Sequence, residues 1–296
     1  MLSKLHNYFF EDQWYIGMVE KPAGFQLEQL PHLRFDFHYT KGFFLADPCF
    51  YEENGDVKII CEYFRFSEQM GRVKLLNWNS KTLEEIPGLK SAKHQSYPLI
   101  YKYAGEEFLF LEQHTTAHPK IGRLDRAGFS VAATELDAIK GALDETPLLL
   151  NGTLYLFHTI FKKGGNDQLR IAYKRNWEDR KWTTHPASPR KSDFSSSRSA
   201  GKIIQLDGKM IRPTQNCKIG YGKAINFMEI EKLTETEFSE KQVLTVQGKD
   251  ILPGFDGIHH IDIGEKYICI DAKMERFRPL KPFYLLYNRT RRWWVG

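Results

Sequence analysis

The residues of this chain best suited to chemistry are carboxylates placed beside apolar β runs. Asp47 stands before Pro48 and the run Cys49-Phe50-Tyr51, and Asp144 holds the equivalent place in the later segment DETPLLL. Glu62 and Glu112 end apolar runs in CEYF and LEQH, where an ionised carboxylate is costly unless it faces a polar cavity or a cation. Two carboxylates on different strands facing one axis can work on a glycosidic centre. One gives a proton while the other attacks or activates the acceptor. Plainer roles exist for each: Asp47 and Asp144 as turn caps, and the glutamates as partners of an arginine such as Arg198 or Arg212.

Around them stand polar residues that suit a sugar or a phosphate. His94, Ser96 and Tyr97 open one segment and His158 ends a strand of the next, with no cysteine or acidic neighbour at metal-ligand spacing. No metal or cofactor is expected, and hydrogen bonding to hydroxyls or phosphate oxygens fits these side chains better. Arg198, Arg212, Gln215 and Tyr221 cluster further on, and two guanidinium forks on one wall would grip a phosphate or carboxylate, with surface ion pairing as the alternative. Strand alternation lets only one of His259 and His260 face an axis; His259 is the candidate, with Asp271 helping to organise the floor. Nucleophile-elbow, dinucleotide-binding and P-loop motifs are absent. The tail RTRRWW, Arg289 to Trp294, could suit a membrane surface or nucleic acid, or pack its tryptophans on the domain edge.

The elements that must position these residues form a repeat. Leu45 to Phe64 reads as a hairpin turning at Asn54-Gly55, followed by strands at Gly71 to Trp78 and Thr82 to Ile86. The same order recurs in segments turning at Gly105, Asn151-Gly152, Asp207-Gly208 and Gly264. The turn glycines Gly55, Gly105, Gly152, Gly208 and Gly264 are 50, 47, 56 and 56 residues apart. Four strands per period predict an all-β, five-bladed β-propeller of four-stranded antiparallel blades around a central funnel. An all-β sandwich with coincidental spacing is the competing fold. The blades fall near 41–90, 91–138, 139–190, 191–250 and 251–290 of one domain spanning 1–296. PFYLLYN, Pro282 to Asn288, is expected as the third strand of the last blade, and the early strand near 13–19 is expected to complete that blade and close the ring.

Composition agrees with this class. The 21 Phe, 14 Tyr and 6 Trp favour strands, and few windows show helical spacing. A balance of 42 basic against 37 acidic residues leaves +5, too mild to predict a nucleic-acid partner. Cys49, Cys61, Cys217 and Cys269 are too scattered for a zinc ribbon or redox pair and are expected as buried thiols. With neither a signal-peptide core nor a membrane-length apolar run, a cytoplasmic location is expected. The oligomeric state is not encoded in any recognisable pattern.

The series ADPCFYEENGDVKIICEYF, HQSYPLIYKYAGEEFLFLEQ, DETPLLLNGTLYLFHT and SRSAGKIIQLDGKMIRPTQNC, followed by Tyr221-Gly222, resembles the amino-terminal domain of plant glucosamine inositolphosphorylceramide transferases and its stand-alone bacterial relatives. The resemblance runs from about Trp14 to Asp271. That domain is similar in turn to the five-bladed arabinanase, xylosidase and levansucrase-like superfamily, in which three carboxylates on neighbouring blades handle glycosidic bonds. By position it implies Asp47 as base or nucleophile and Glu112 or Asp144 as acid or its modulator. The chain departs from the hydrolase pattern at His94-Gln95-Ser96-Tyr97, where an Asp is usual. The resemblance thus implies a carbohydrate-active enzyme. The leading expectation is a glycosyltransferase of cell-surface glycan or glycolipid synthesis with a phosphorylated or nucleotide-linked sugar donor and a glycan or glycolipid acceptor. A furanosidase-type glycoside hydrolase and a non-catalytic glycan-binding propeller are the alternatives. A peripheral membrane contact would accompany a glycolipid acceptor.

Overall fold

The computed structural model describes residues 8–53, 56–113, 120–131, 139, 141–160, 168–179, 181–190 and 194–294. These residues form five four-stranded antiparallel sheets arranged as a five-bladed propeller. Blade 1 is β3 (Phe43–Glu53), β4 (Asp56–Arg65), β5 (Met70–Asn77) and β6 (Thr82–Glu84). Blade 2 is β7 (Gln95–Tyr103), β8 (Glu106–Gln113), β9 (Lys120–Asp125) and β10 (Gly128–Val131). Blade 3 is β11 (Ala142–Leu150), β12 (Thr153–Ile160), β13 (Arg170–Lys174) and β14 (Thr183–Thr184). Blade 4 is β15 (Ile204–Leu206), β16 (Lys209–Gln215), β17 (Ala224–Leu233) and β18 (Phe238–Gln247).

Blade 5 is composite, in the order β19 (Gly257–Ile263), β20 (Tyr267–Phe277), β1 (Phe10–Glu20) and β2 (Asp36–His38). The β1–β20 ladder runs unbroken from Phe10 opposite Phe277 to Glu20 opposite Tyr267. It ties the two ends of the ring together and removes the edge that an open array would expose. Because β1 fills the third place, PFYLLYN is not a strand: it lies in a helix, Lys281–Trp294, and β2 takes the outer edge. The local pattern agrees, since Phe283, Leu286 and Tyr287 recur at the three-and-four spacing of a helix face.

The hairpins turn where left-handed backbone is cheapest. Asn151-Gly152 and Asp207-Gly208 have positive φ at both residues, 51° and 80° and then 49° and 74°, the pairing that a two-residue hairpin needs. The Asn54-Gly55 turn lies outside the described residues. Five apolar clusters fill the five blade interfaces. Cys49, Ile60, Ile100 and Leu109 join blades 1 and 2, and Leu99, Phe108, Leu154 and Leu156 join blades 2 and 3. Phe157 with Ile230, Phe227 with Ile258, and Ile16 with Leu45 and Cys61 do the same for the remaining pairs. Cys49, Cys61 and Cys269 are buried thiols and Cys217 is partly buried.

Four of the five innermost strand runs are interrupted. The register slips between Ala46 and Cys49, Ser96 and Leu99, Leu143 and Thr146, and Ile258 and Ile261. At three of these bulges one residue adopts left-handed backbone: Asp47 at φ 51°, Tyr97 at 47° and Asp144 at 53°. A bulge of this kind breaks alternation and re-aims a side chain, and strain of order 1–3 kcal/mol per site is concentrated where function needs it.

Candidate active site

The bulges open onto one cavity of about 1160 Å³ lined by residues of all five blades, as only an axial cavity can be. Asp47, Glu62, Glu112, Asp144, His94, Ser96, Tyr97, Arg198, Gln215, Tyr221 and His259 all line it, together with Trp14, Phe44, Phe64 and Lys281.

Asp47 is the most elaborately held of these groups. Its Oδ2 accepts the Tyr97 amide at 3.0 Å, and its Oδ1 faces His260 Nδ1 at 3.5 Å and His259 Nε2 at 3.6 Å. Its own amide donates to Asp271 Oδ2 at 2.9 Å. Burial alone would raise this carboxyl. The close contact with His260, the two imidazole charges and the Tyr97 amide outweigh it and hold Asp47 well below the usual carboxylate range. Asp271, fully buried, also accepts the amides of His259 at 3.1 Å and His260 at 2.9 Å, and it meets His259 Nδ1 at 2.7 Å. Burial would lower His259, but the charges of Asp271 and Asp47 raise it. Trp14 stacks on its ring, centroids 3.9 Å apart.

Glu62 has the opposite character. Burial first, then the charges of Asp47, Glu112 and Asp271, push its carboxyl well above the ordinary range, so it is held as the neutral acid. Gly71 donates its amide to His94 Nδ1 at 2.9 Å, which leaves the imidazole proton on Nε2, 3.4 Å from Glu62 Oε1. Only glycine leaves room there: a Cβ on Gly71 would stand 2.2 Å from Glu62 Oε1 and 2.7 Å from His94. An ionised carboxylate and a protonated one in a single cavity are the paired states that general acid–base work requires.

Asp144 is clamped. Arg198 meets it with two parallel bonds, Nε at 2.6 Å and Nη2 at 2.9 Å. The guanidinium also lies 5.5 Å from the Tyr221 ring centre. Tyr97 works through its backbone: its hydroxyl is tied to Thr146 at 2.9 Å and the Gly201 amide at 3.1 Å, while its amide serves Asp47. Gln215 bonds Ser199 O at 3.0 Å through Nε2, and its buried Oε1 has no donor among the described residues.

Two sequence candidates lie away from the cavity. Arg212 is wholly buried inside blade 4, paired with Glu240 at 2.8 and 3.0 Å and bonded to Ser196 O at 2.7 Å. β16 reaches the cavity with Gln215, three residues further on at roughly 3.3 Å per residue, so Arg212 sits about 10 Å back in the blade. The expected arginine pair is therefore a single arginine. His158 is buried in β12, where burial pushes its imidazole down to about 4. Asp256, just before β19, is exposed and accepts the Glu275 amide at 2.8 Å.

The bulge also corrects the alternation argument: His259 and His260 both reach Asp47 because the register slips between Ile258 and Ile261. Trp14 and His260 are the residues that sequence reasoning passed over. No local signal marks Trp14, whose position comes from the long-range β1–β20 pairing. Asp47, His259 and Asp271 bring ligand-type atoms within 4.8 Å of one another. In this arrangement Asp271 accepts the amides of Asp47, His259 and His260, and Asp47 accepts that of Tyr97.

Comparison with known proteins places this geometry. The chain is 27% identical over 231 residues to glucosamine inositolphosphorylceramide transferase 1 of Oryza sativa subsp. indica, covering 74% of this chain and 31% of that protein. It is 26% identical over 236 residues to the protein of the same name in Arabidopsis thaliana, covering 74% and 30%. The chain thus spans about a third of the length of these curated relatives. Among solved structures, a thermostable family-43 glycoside hydrolase is similar at TM-score 0.51 and 11% identity, over 68% of this chain and 75% of its own. Zg3597, a family-117 glycoside hydrolase of Zobellia galactanivorans, is similar at TM-score 0.50 and 8% identity over 90% of both. Those two likenesses concern the fold alone. The family model for glucosamine inositolphosphorylceramide transferase 1, N-terminal, matches residues 40–265, so this chain belongs to that family.

Proposed function

We propose that the axial cavity transfers a glycosyl unit to a glycan or glycolipid acceptor. The observation that carries the reading is the split between Asp47, held ionised, and Glu62, held as the acid, in one cavity. Membership of a family whose relatives are named as transferases supports it. In this scheme the Glu62 proton passes to the departing oxygen as its bond to the anomeric carbon breaks. Asp47 takes the proton of the incoming acceptor hydroxyl, or attacks the carbon itself. Asp144, fixed by Arg198, orients the sugar.

The site favours a glycosidically linked donor over a nucleotide-linked one. A departing alkoxide needs a proton, which Glu62 supplies, whereas a departing diphosphate needs cationic charge. Arg212 is sealed in blade 4 and Arg198 directs Nε and Nη2 to Asp144, so the further cationic side chains lining the cavity among the described residues are Lys93 and Lys281.

The test is to incubate the chain with glycoside and sugar-nucleotide panels plus a glycolipid acceptor. A glycosylated acceptor without nucleotide release is expected, and Asp47→Asn should lower turnover by about 10²–10⁴-fold while the thermal transition stays cooperative. Free sugar as the main product would assign the same acid and base to hydrolysis. Nucleotide release would refute the donor assignment. Sugar binding without product, unchanged in Asp47→Asn, would refute catalysis altogether.

A further inference from the structure

The C-terminal helix Lys281–Trp294 presents an apolar face to solvent at the rim of the cavity. Of the large apolar side chains exposed among the described residues, five fall within Phe277 to Tyr287: Phe277 at 59%, Leu280 at 54%, Phe283 at 67%, Leu286 at 63% and Tyr287 at 60%. Leu280, Phe283, Leu286 and Tyr287 follow helical spacing, and Trp293 and Trp294 stand seven residues after Leu286 and Tyr287 in the same helix. Arg289, Arg291 and Arg292 follow in the sequence of the same helix. From Arg276 to Gly296 the sequence has six basic residues and no acidic one.

The base of this helix is fixed to the cavity rim. The Arg278 amide donates to Phe9 O at 2.5 Å, its guanidinium bonds Gln13 Oε1 and lies 4.3 Å from the Phe66 ring centre, and Lys281 Nζ bonds Phe10 O at 2.5 Å. Phe10 and Lys281 themselves line the cavity. The exposed face and the opening to Asp47 and Glu62 therefore belong to one edge of the propeller. No helix among the described residues is long and apolar enough to cross a membrane, so the face would lie on a bilayer and not span it.

We infer that this helix docks the propeller on a bilayer surface rich in anionic lipid, with the cavity mouth at the membrane. A helix that exposes aromatic and leucine side chains within a basic segment binds at the boundary of headgroups and acyl chains, where long cationic side chains reach the phosphates. The lack of any acidic residue from Arg276 to Gly296 matches an anionic surface, and the exposed aromatic and leucine side chains beside it match an acyl boundary, so the lipid surface is the occupant. Docking stands on the geometry of the helix. Only its purpose, presenting a lipid-linked acceptor to the cavity, rests on the proposed function.

The test is co-sedimentation of the full chain with phosphatidylcholine vesicles containing or lacking about 30% phosphatidylserine. Binding to the anionic vesicles is expected, weakened at least tenfold by omitting phosphatidylserine or by 0.5 M salt. Phe283→Asp with Leu286→Asp, two exposed positions, should reduce binding at least tenfold with an unchanged circular dichroism spectrum. No binding by the unsubstituted chain at low salt overturns the inference, as does binding that the double variant retains. Size-exclusion chromatography gives a third reading: a dimer that the double variant dissolves, with no vesicle binding, would assign the face to a second copy of the chain. Vesicle binding needs no turnover and turnover with a soluble acceptor needs no vesicle, so failure of one leaves the other standing.

Discussion

Replacing Glu145 tests the electrostatics of the buried layer behind the Asp144 bulge, outside the cavity lining. This side chain is 4% exposed beside the Asp144 bulge, and its carboxylate oxygens lack a donor in good hydrogen-bond geometry among the described residues. Burial pushes its carboxyl up to about 8; the Ile139 backbone partly offsets this and the charge of Glu112 adds to it. In the unfolded chain the group titrates at its ordinary 4.5, so folding takes up a proton between the two values. The stabilisation from holding the neutral acid is complete below 4.5 and is lost as pH rises toward 8, at about 1.4 kcal/mol per pH unit. By pH 7.5 the loss is of order 3–4 kcal/mol. Glu145→Gln copies the protonated shape and never ionises, so it should raise Tm by about 6–15 °C at pH 7.5 and leave it nearly unchanged at pH 4. Glu145→Met, which needs no partner, should behave alike. Glu62 and His259, both raised, lower stability with rising pH in all three proteins, so the difference between curves isolates Glu145. Thermal melts by circular dichroism from pH 4 to 8.5 suffice. Parallel Tm–pH curves for the three proteins would refute the reasoning.

Other expectations concern single contacts. Gly222→Ala places a Cβ 2.5 Å from Trp14 Cη2 at a residue with φ 64°, so it should cost about 1–3 kcal/mol and move Trp14 off His259. Near-ultraviolet circular dichroism would report the displaced indole, and an unchanged spectrum would argue against the stack. Glu240→Gln leaves the Arg212 charge buried without its partner and should cost about 3–5 kcal/mol in urea unfolding, with sugar binding unaltered because neither residue lines the cavity. Arg198→Lys replaces the two-bond grip on Asp144 with a point charge and should reduce turnover by about tenfold or more while the fold persists. Equal turnover in that variant would remove Asp144 from the proposed scheme.

The sequence by itself determined the architecture. Its repeat of hairpins at roughly 50 residues required a propeller, because each four-stranded unit buries its faces only against a copy of itself. The same repeat placed Asp47, Tyr97 and Asp144 at equivalent points, and short-range turn chemistry at Asn151-Gly152 and Asp207-Gly208 fixed the hairpins. Alternation along a strand was the rule that failed. The bulges shift register inside the innermost strands, so His259 and His260 share one carboxylate. Arg212 is indistinguishable from a cavity arginine until Glu240, 28 residues away, is seen to enclose it. The terminal segment could not be assigned locally either, since the place of a third strand was already filled by β1 from the other end of the chain. The protonation split between Asp47 and Glu62 is likewise a tertiary property. Both are carboxylates of similar intrinsic acidity, and only the donors supplied by blades 2 and 5 hold one ionised while burial keeps the other neutral.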